Sequence, residues 1–244
     1  MLSMIIALVL GCAVGLAAWS TWNLVWGIIC GSVVIVAVQF GIGWLLRRKI
    51  AAIQGKMQLT LSESQAKLTR KIQLMQQRPG TNVKAAQQML EKDQAQAIRE
   101  AMAMTAAFKP YYWWSPMLRR QINTMNMIFH YQLKEFDAVD ALLPKCMLYD
   151  TQSIAMKLAR MYKKNDPGLD KFFKAKSKRL KGEDCALVYA TYAWIKVRED
   201  KIDDAIACLI EAKKKSTHPA IVENWERLVN NKAKHFSNTA LGDN

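Results

Sequence analysis

From Met1 to Leu46 the chain contains no Asp, Glu, Lys or Arg, and Arg47, Arg48 and Lys49 follow at once. About 20 apolar residues cross a bilayer core, so an uncharged run of this length is too long for one span and suits two. Span one reads as Leu2–Ser20 and span two as Leu24–Leu46, joined by the polar turn Thr21-Trp22-Asn23. Trp19, Trp22 and Trp26 gather around that turn, and Trp44 lies at the far end of span two. Indole rings favour the headgroup layer, so the pattern predicts a hairpin with an interfacial marker at each end of its second span.

Within the hairpin, Gly11-Cys12-Ala13-Val14-Gly15 and Gly27-Ile28-Ile29-Cys30-Gly31 are placed symmetrically about Thr21. Equal distance from the turn means equal depth, and paired glycines let two backbones approach closely. Gly11, Gly15, Gly27 and Gly31 are therefore candidate packing residues, within the hairpin or between copies of the chain. Basic residues at a span end are retained in the cytoplasm, so Arg47, Arg48 and Lys49 predict that the N-terminus and the large C-terminal portion both face the cytoplasm. No basic n-region precedes the first apolar stretch, which favours a retained hairpin over a cleaved signal. The spans hold no ionisable side chain, and a lone Gln39 makes no transport pathway; the hairpin reads as an anchor.

Beyond it the periodicity is helical throughout, and the predicted fold is all-α. Residues 47–80 are Gln-rich, basic and proline-free until Pro79. Leu61, Leu68 and Met75 repeat every seven residues, but their companion positions Gln58, Gln65 and Ile72 are mostly polar. This predicts a solvated helical stalk rather than a coiled coil, ended by Arg78-Pro79-Gly80. Thr81 or Asn82 then caps a helix to Lys109, with Val83, Leu90, Ala97 and Met104 on one face. Ser115-Pro116 is the next helix start, a hydroxyl cap followed by a residue that needs no N–H partner. Helices are expected over 116–133, 136–149, 152–164, 169–180, 184–198, 202–215 and 219–231. The organisation is thus 1–46 hairpin, 47–80 stalk, 81–236 helical domain and 237–244 flexible polar tail. Tyr111-Tyr112-Trp113-Trp114 admits two readings, a core plug or a headgroup contact.

The net charge of +15 changes the picture by its placement. Most of the excess lies in residues 47–120, beside the predicted membrane exit, which suits anionic lipid headgroups. Nucleic acid is disfavoured, because the basic residues are spread along helices without a recognised module. The densest basic patch, 171–179, reads as a solvated amphipathic helix face or as an acidic-partner or lipid contact. The five cysteines show no metal or disulfide spacing. His130, His218 and His235 fall in separate elements, and His130 has no carboxylate close to it in sequence. No phosphate loop, HExxH or GxSxG is present. The expectation is a non-enzymatic protein without metal or cofactor.

The helix pair Asp184–Lys215 resembles a tetratricopeptide repeat (TPR), a helix–turn–helix unit of about 34 residues. Tyr189, Tyr192 and Ala193 match first-helix packing positions, Asp200-Lys201-Ile202 the turn, and Ala205, Leu209 and Ala212 the second helix. Pro219 follows, while the family's turn glycine and the glycine beside its first-helix alanine are absent. Residues 120–150 resemble a more degenerate copy, interrupted by Pro144. The resemblance implies a concave surface that binds a protein partner, with Trp194 and Lys196 as candidate contacts. Two spans, the exit Trp44-Leu45-Leu46-Arg47-Arg48 and TPR-like helices together resemble HemY-type inner-membrane proteins of Gram-negative bacteria. What this layout implies is a bacterial inner-membrane location, not haem chemistry. The function expected is a membrane-tethered adaptor. The alternatives are an accessory subunit of a larger membrane complex and a membrane-bound enzyme with an unrecognised site.

Overall fold

A computed structural model describes residues 2–21, 23–76 and 83–241. Trp22, the break at Arg78-Pro79-Gly80, the caps Thr81 and Asn82, and residues 242–244 lie outside the described residues. Among the described residues every regular element is helical: two long apolar N-terminal helices packed together, then a smaller helical portion. The chain forms two compact units, residues 1–146 and 147–244.

In the first unit, α1 (Leu2–Thr21) and α2 (Leu24–Gln76) are each long and apolar enough to cross a membrane. Only 11% of the apolar window in either helix is buried within the protein, so neither is the core helix of a water-soluble fold. They meet through their glycines. A Cβ placed on Gly15 would lie 3.0 Å from the carbonyl oxygen of Gly27, and one on Gly31 would lie 2.9 Å from that of Gly11. Any side chain at these positions would have to push the two backbones apart.

α2 does not stop where its apolar half ends. It runs unbroken for 53 residues, roughly 80 Å, because nothing between Leu24 and Gln76 interrupts helical geometry. Its polar half corrects the expectation of a solvated stalk. Ile50 and Ile53 pack against a cluster of Phe108, Leu118 and Ile122. Met57 is buried with Ile98, Ala101 and Phe129, and Leu61 lies against the same group. The partners come from α3 (Val83–Met104), the 3₁₀ stretch Thr105–Tyr111 and α4 (Pro116–Gln132). Lys71 and Asp93 pair farther along, holding α2 to α3. The stripe at 50, 53, 57 and 61 has the spacing of one helix face, so the segment is the first helix of a packed bundle.

α4 begins at the predicted cap, where the Ser115 hydroxyl accepts from the Leu118 N–H. α5 (Phe136–Leu142) is shorter than expected, because Pro144 turns its end into the 3₁₀ stretch Leu143–Lys145. His130 does have a carboxylate partner. Glu135, brought back by the α4–α5 turn, lies 2.7 Å from its Nδ1 and 3.5 Å from Arg99.

The second unit contains α6 (Thr151–Lys163), α7 (Leu169–Ser177), α8 (Ala186–Arg198), α9 (Ile202–Lys213) and α10 (Pro219–Val229). α8 is central and packs against the other four, which is why it is apolar almost all round. Four helices end on a non-glycine residue in the left-handed region, with φ of 59° at Lys134, 51° at Asn165, 59° at Asp200 and 56° at Asn231. The turns after α4 and α8 are alike in detail. Glu135 and Lys201, which follow the left-handed residue, share ψ of 67°, and their N–H groups bond back to His130 and Lys196, each at 2.9 Å.

The C-terminal tail is pinned over its described part. Asn224, fully buried, donates to Ser237 O at 2.8 Å and accepts from Ser237 N at 3.1 Å, while Asn238 donates to Ala190 O at 3.1 Å. A buried amide needs such partners, and the tail supplies them. This corrects the expectation of a tail flexible from Ser237 onward.

Truncating Met57→Ala removes the α2 residue most deeply set in the bundle. We expect a loss of about 2–3 kcal/mol in denaturant unfolding of the full chain in detergent. An effect within about 0.5 kcal/mol would return residues 47–76 to the solvated stalk.

Candidate functional site

The most developed polar constellation lies where α7 rests on α8. Phe173 stacks on Tyr192 with centroids 3.7 Å apart and planes 5° from parallel, and meets Tyr189 edge-on at 5.3 Å. Each tyrosine hydroxyl then needs a partner, because its ring is buried. Tyr192 donates to Asp170 Oδ1 at 3.0 Å, and Tyr189 donates to Glu211 Oε1 at 2.8 Å. Two lysines complete the networks. Lys196 Nζ lies 2.7 Å from Asp170 and 3.1 Å from Glu199, and Lys215 Nζ donates to Tyr189 Oη at 2.6 Å and to Ser177 O at 3.0 Å.

Lys196 is therefore not the solvent-facing groove residue that the sequence suggested. Its side chain is 3% exposed, and its charge is shared between two carboxylates. Lysine can be buried this way because its charge is paired with two carboxylates and lies 5.1 Å over the Tyr192 ring. Trp194, the other candidate, is half-buried, edge-on to Tyr162 at 5.8 Å and covered by the Arg198 guanidinium at 5.1 Å. Tyr189, Tyr192, Ala193, Ala205, Leu209 and Ala212 are all buried where α8 meets its neighbours. The sequence offers no signal for Asp170 as the partner of Lys196, since the two residues lie on different helices.

A cavity of about 240 Å³ opens beside Lys196, lined by Tyr162, Asn165, Asp166, Asp170, Glu199 and Lys201 among others. It could admit a small polar group, but its two cations, Lys196 and Lys201, are already paired with carboxylates. Burial works against ionisation of Asp170, yet hydrogen bonds from Lys196 and Tyr192 outweigh it and hold the carboxyl below its ordinary range. The Lys201 hydrogen bond, helped by Lys196, does the same for Glu199. Burial would lower Lys196, but Asp170 and Glu199 prevail and raise it. Burial pushes the thiols of Cys185 and Cys208 up, away from the reactive thiolate. Among the described residues, no group of His, Cys, Asp and Glu side chains could hold a metal ion. The arrangement clamps α7 onto α8 and fixes the surface around Trp194. No family model, curated protein or solved structure matches the chain.

The clamp has a pH signature. Depressed carboxylates contribute stability that is present above their unfolded values near about 4 and lost as pH falls through the folded values. The raised lysine contributes stability that is full below about 10.4 and lost as pH rises through its folded value. Unfolding of the wild-type chain should therefore show a plateau between about pH 5 and 10. Lys196→Met should flatten its acid limb, read from near-ultraviolet circular dichroism.

Charge reversal is a separate case. Lys196→Glu would set a third carboxylate beside Asp170 and Glu199 in a buried position, and should cost about 3 kcal/mol or more. Lys196→Met, which leaves both carboxylates access to water, should cost less. Equal stability of Lys196→Glu and wild type in urea would show that the clamp contributes nothing.

Proposed function

We propose that the chain is a membrane-tethered, non-enzymatic adaptor. The α1–α2 hairpin fixes it in a bacterial inner membrane, and the second unit presents a helical surface to a protein partner in the cytoplasm. The observation that carries this reading is the exposure of the apolar hairpin. Phe40 is 78% exposed, Val36 68% and Val25 64%, and only 11% of the apolar window of either helix is buried within the protein. Water would penalise that surface heavily, and hydrocarbon would not. The charge break at Arg47-Arg48-Lys49 supports cytoplasmic retention of everything that follows.

A TPR-like surface is supported by the packing of the α8–α9 pair, in which Tyr189, Tyr192, Ala193, Ala205, Leu209 and Ala212 are all buried. The turn between the two helices closes without a glycine, on Asp200 in the left-handed region. With Lys196 buried, the candidate contact on α8 is the Trp194–Arg198 pair. Aromatic side chains with an arginine over the ring are frequent anchors at protein interfaces.

Two measurements test this. A cysteine-reactive probe applied outside intact cells should label a cysteine placed at Asn23 and spare one placed at Lys215; labelling at Lys215 would reverse the topology. Co-purification in mild detergent should recover a partner with wild type and lose roughly tenfold or more with Trp194→Ala, consistent with an interface anchor. Retention of every partner by a folded Trp194→Ala chain would remove this face from the binding surface. A stoichiometric integral membrane partner would favour an accessory subunit instead.

A further inference from the structure

The elbow between α3 and α4 comes back to the start of α1. Leu2 N donates to Trp113 O at 3.3 Å. The first N–H groups of a helix lack internal acceptors, and an apolar solvent supplies none, so a loop carbonyl that reaches Leu2 satisfies one of them. That contact also fixes the depth of the loop. Gly11 faces Gly31 and Gly15 faces Gly27, and carrying this register onward at equal rise sets Leu2 level with about Phe40. Trp44 lies only about 6 Å farther along α2, one turn, with Arg48 5.7 Å over its ring. The Trp113 backbone is therefore held between the levels of Phe40 and Trp44, beyond Arg47, Arg48 and Lys49 on the apolar side.

The side chains suit that depth. Tyr111 and Tyr112 turn inward onto the Phe108–Leu118–Ile122 cluster, whereas Trp113 is 79% exposed and Met117 56%. Lys109, Arg119 and Arg120 flank them in sequence and are exposed. An exposed indole and thioether with exposed cations close in sequence on either side match the boundary between acyl chains and anionic headgroups. The two readings of the aromatic run thus divide between its residues, tyrosines to the core and Trp113 outward.

We propose that the Trp113–Met117 elbow is a third membrane contact, seated on anionic phospholipid in the leaflet through which α2 leaves the bilayer. It rests on the bilayer reading of the hairpin. The occupant is the same membrane that the hairpin crosses, because the bond to Leu2 places the loop beside the start of α1.

The test uses the full chain in nanodiscs of equimolar phosphatidylglycerol and phosphatidylcholine, which hold one bilayer patch. A benzophenone amino acid replaces Trp113, Met117, Phe40 or Val229 in turn, and adducts are read by mass spectrometry after illumination. Phe40 reports the hairpin, and Val229, 49% exposed in the second unit, reports chance encounter. Position 113 or 117 should give lipid adducts well above position 229, enriched in phosphatidylglycerol at least about twofold over the disc composition. Lipid adducts at 40 with none at 113 and 117 overturn this contact and leave the anchor standing. Absence at 40 as well overturns both. Adducts at 113 and 117 no richer in phosphatidylglycerol than the disc, or no more abundant than at 229, overturn the recognition of anionic lipid.

Discussion

The packing of Ile50, Ile53, Met57 and Leu61 into α3 and α4 is the contact on which the first unit depends. Isolated helices gain little in water, and a long polar helix leaving a membrane would fray without a partner. Here the face just beyond the basic exit is buried at once. The bundle thus begins within one or two turns of Lys49, and the apolar and polar halves of α2 become a single mechanical element. The arginines and lysine at the exit occupy the exposed side of the same helix, so charge and packing do not compete for positions.

The second unit is organised differently. Its centre is α8, and its polar side chains are gathered into two networks around the Phe173–Tyr189–Tyr192 group. Lys196 and Lys215 serve the same purpose there, each joining a tyrosine-bearing helix to carboxylates or carbonyls on neighbouring elements. Such networks specify one arrangement of helices, because any shift leaves a buried donor without its acceptor.

Much of this was legible in the order of residues. The uncharged run, the glycine symmetry, the Ser115-Pro116 start and the breaks at Lys134, Asn165 and Asp200 are all local signals, and each maps onto a local feature of the structure. What was not legible depends on partners distant in sequence. Lys196 looks like any solvated lysine until Asp170 is brought across from α7. The tail looks disposable until Asn224 requires it. The stripe from Ile50 to Leu61 was available in the sequence, but a seven-residue repeat counted from Leu61 onward reads the part of the helix beyond the main contact. The function itself has no comparable local signature, since a binding surface on helices is composed of ordinary side chains.

The unbroken run of α2 has a consequence of its own. With no glycine–proline break between Phe40 and Met57, the helix acts as a shaft with a fixed angular phase. Each residue turns it by about 100° and advances it by about 1.5 Å. The face that meets α1 and the face that meets α3 and α4 are therefore set relative to each other by residue count alone. An insertion or deletion of one residue near Lys49 would leave both faces chemically intact and yet mutually misaligned. Changes of about seven or eleven residues, close to two or three full turns, would bring them back into phase.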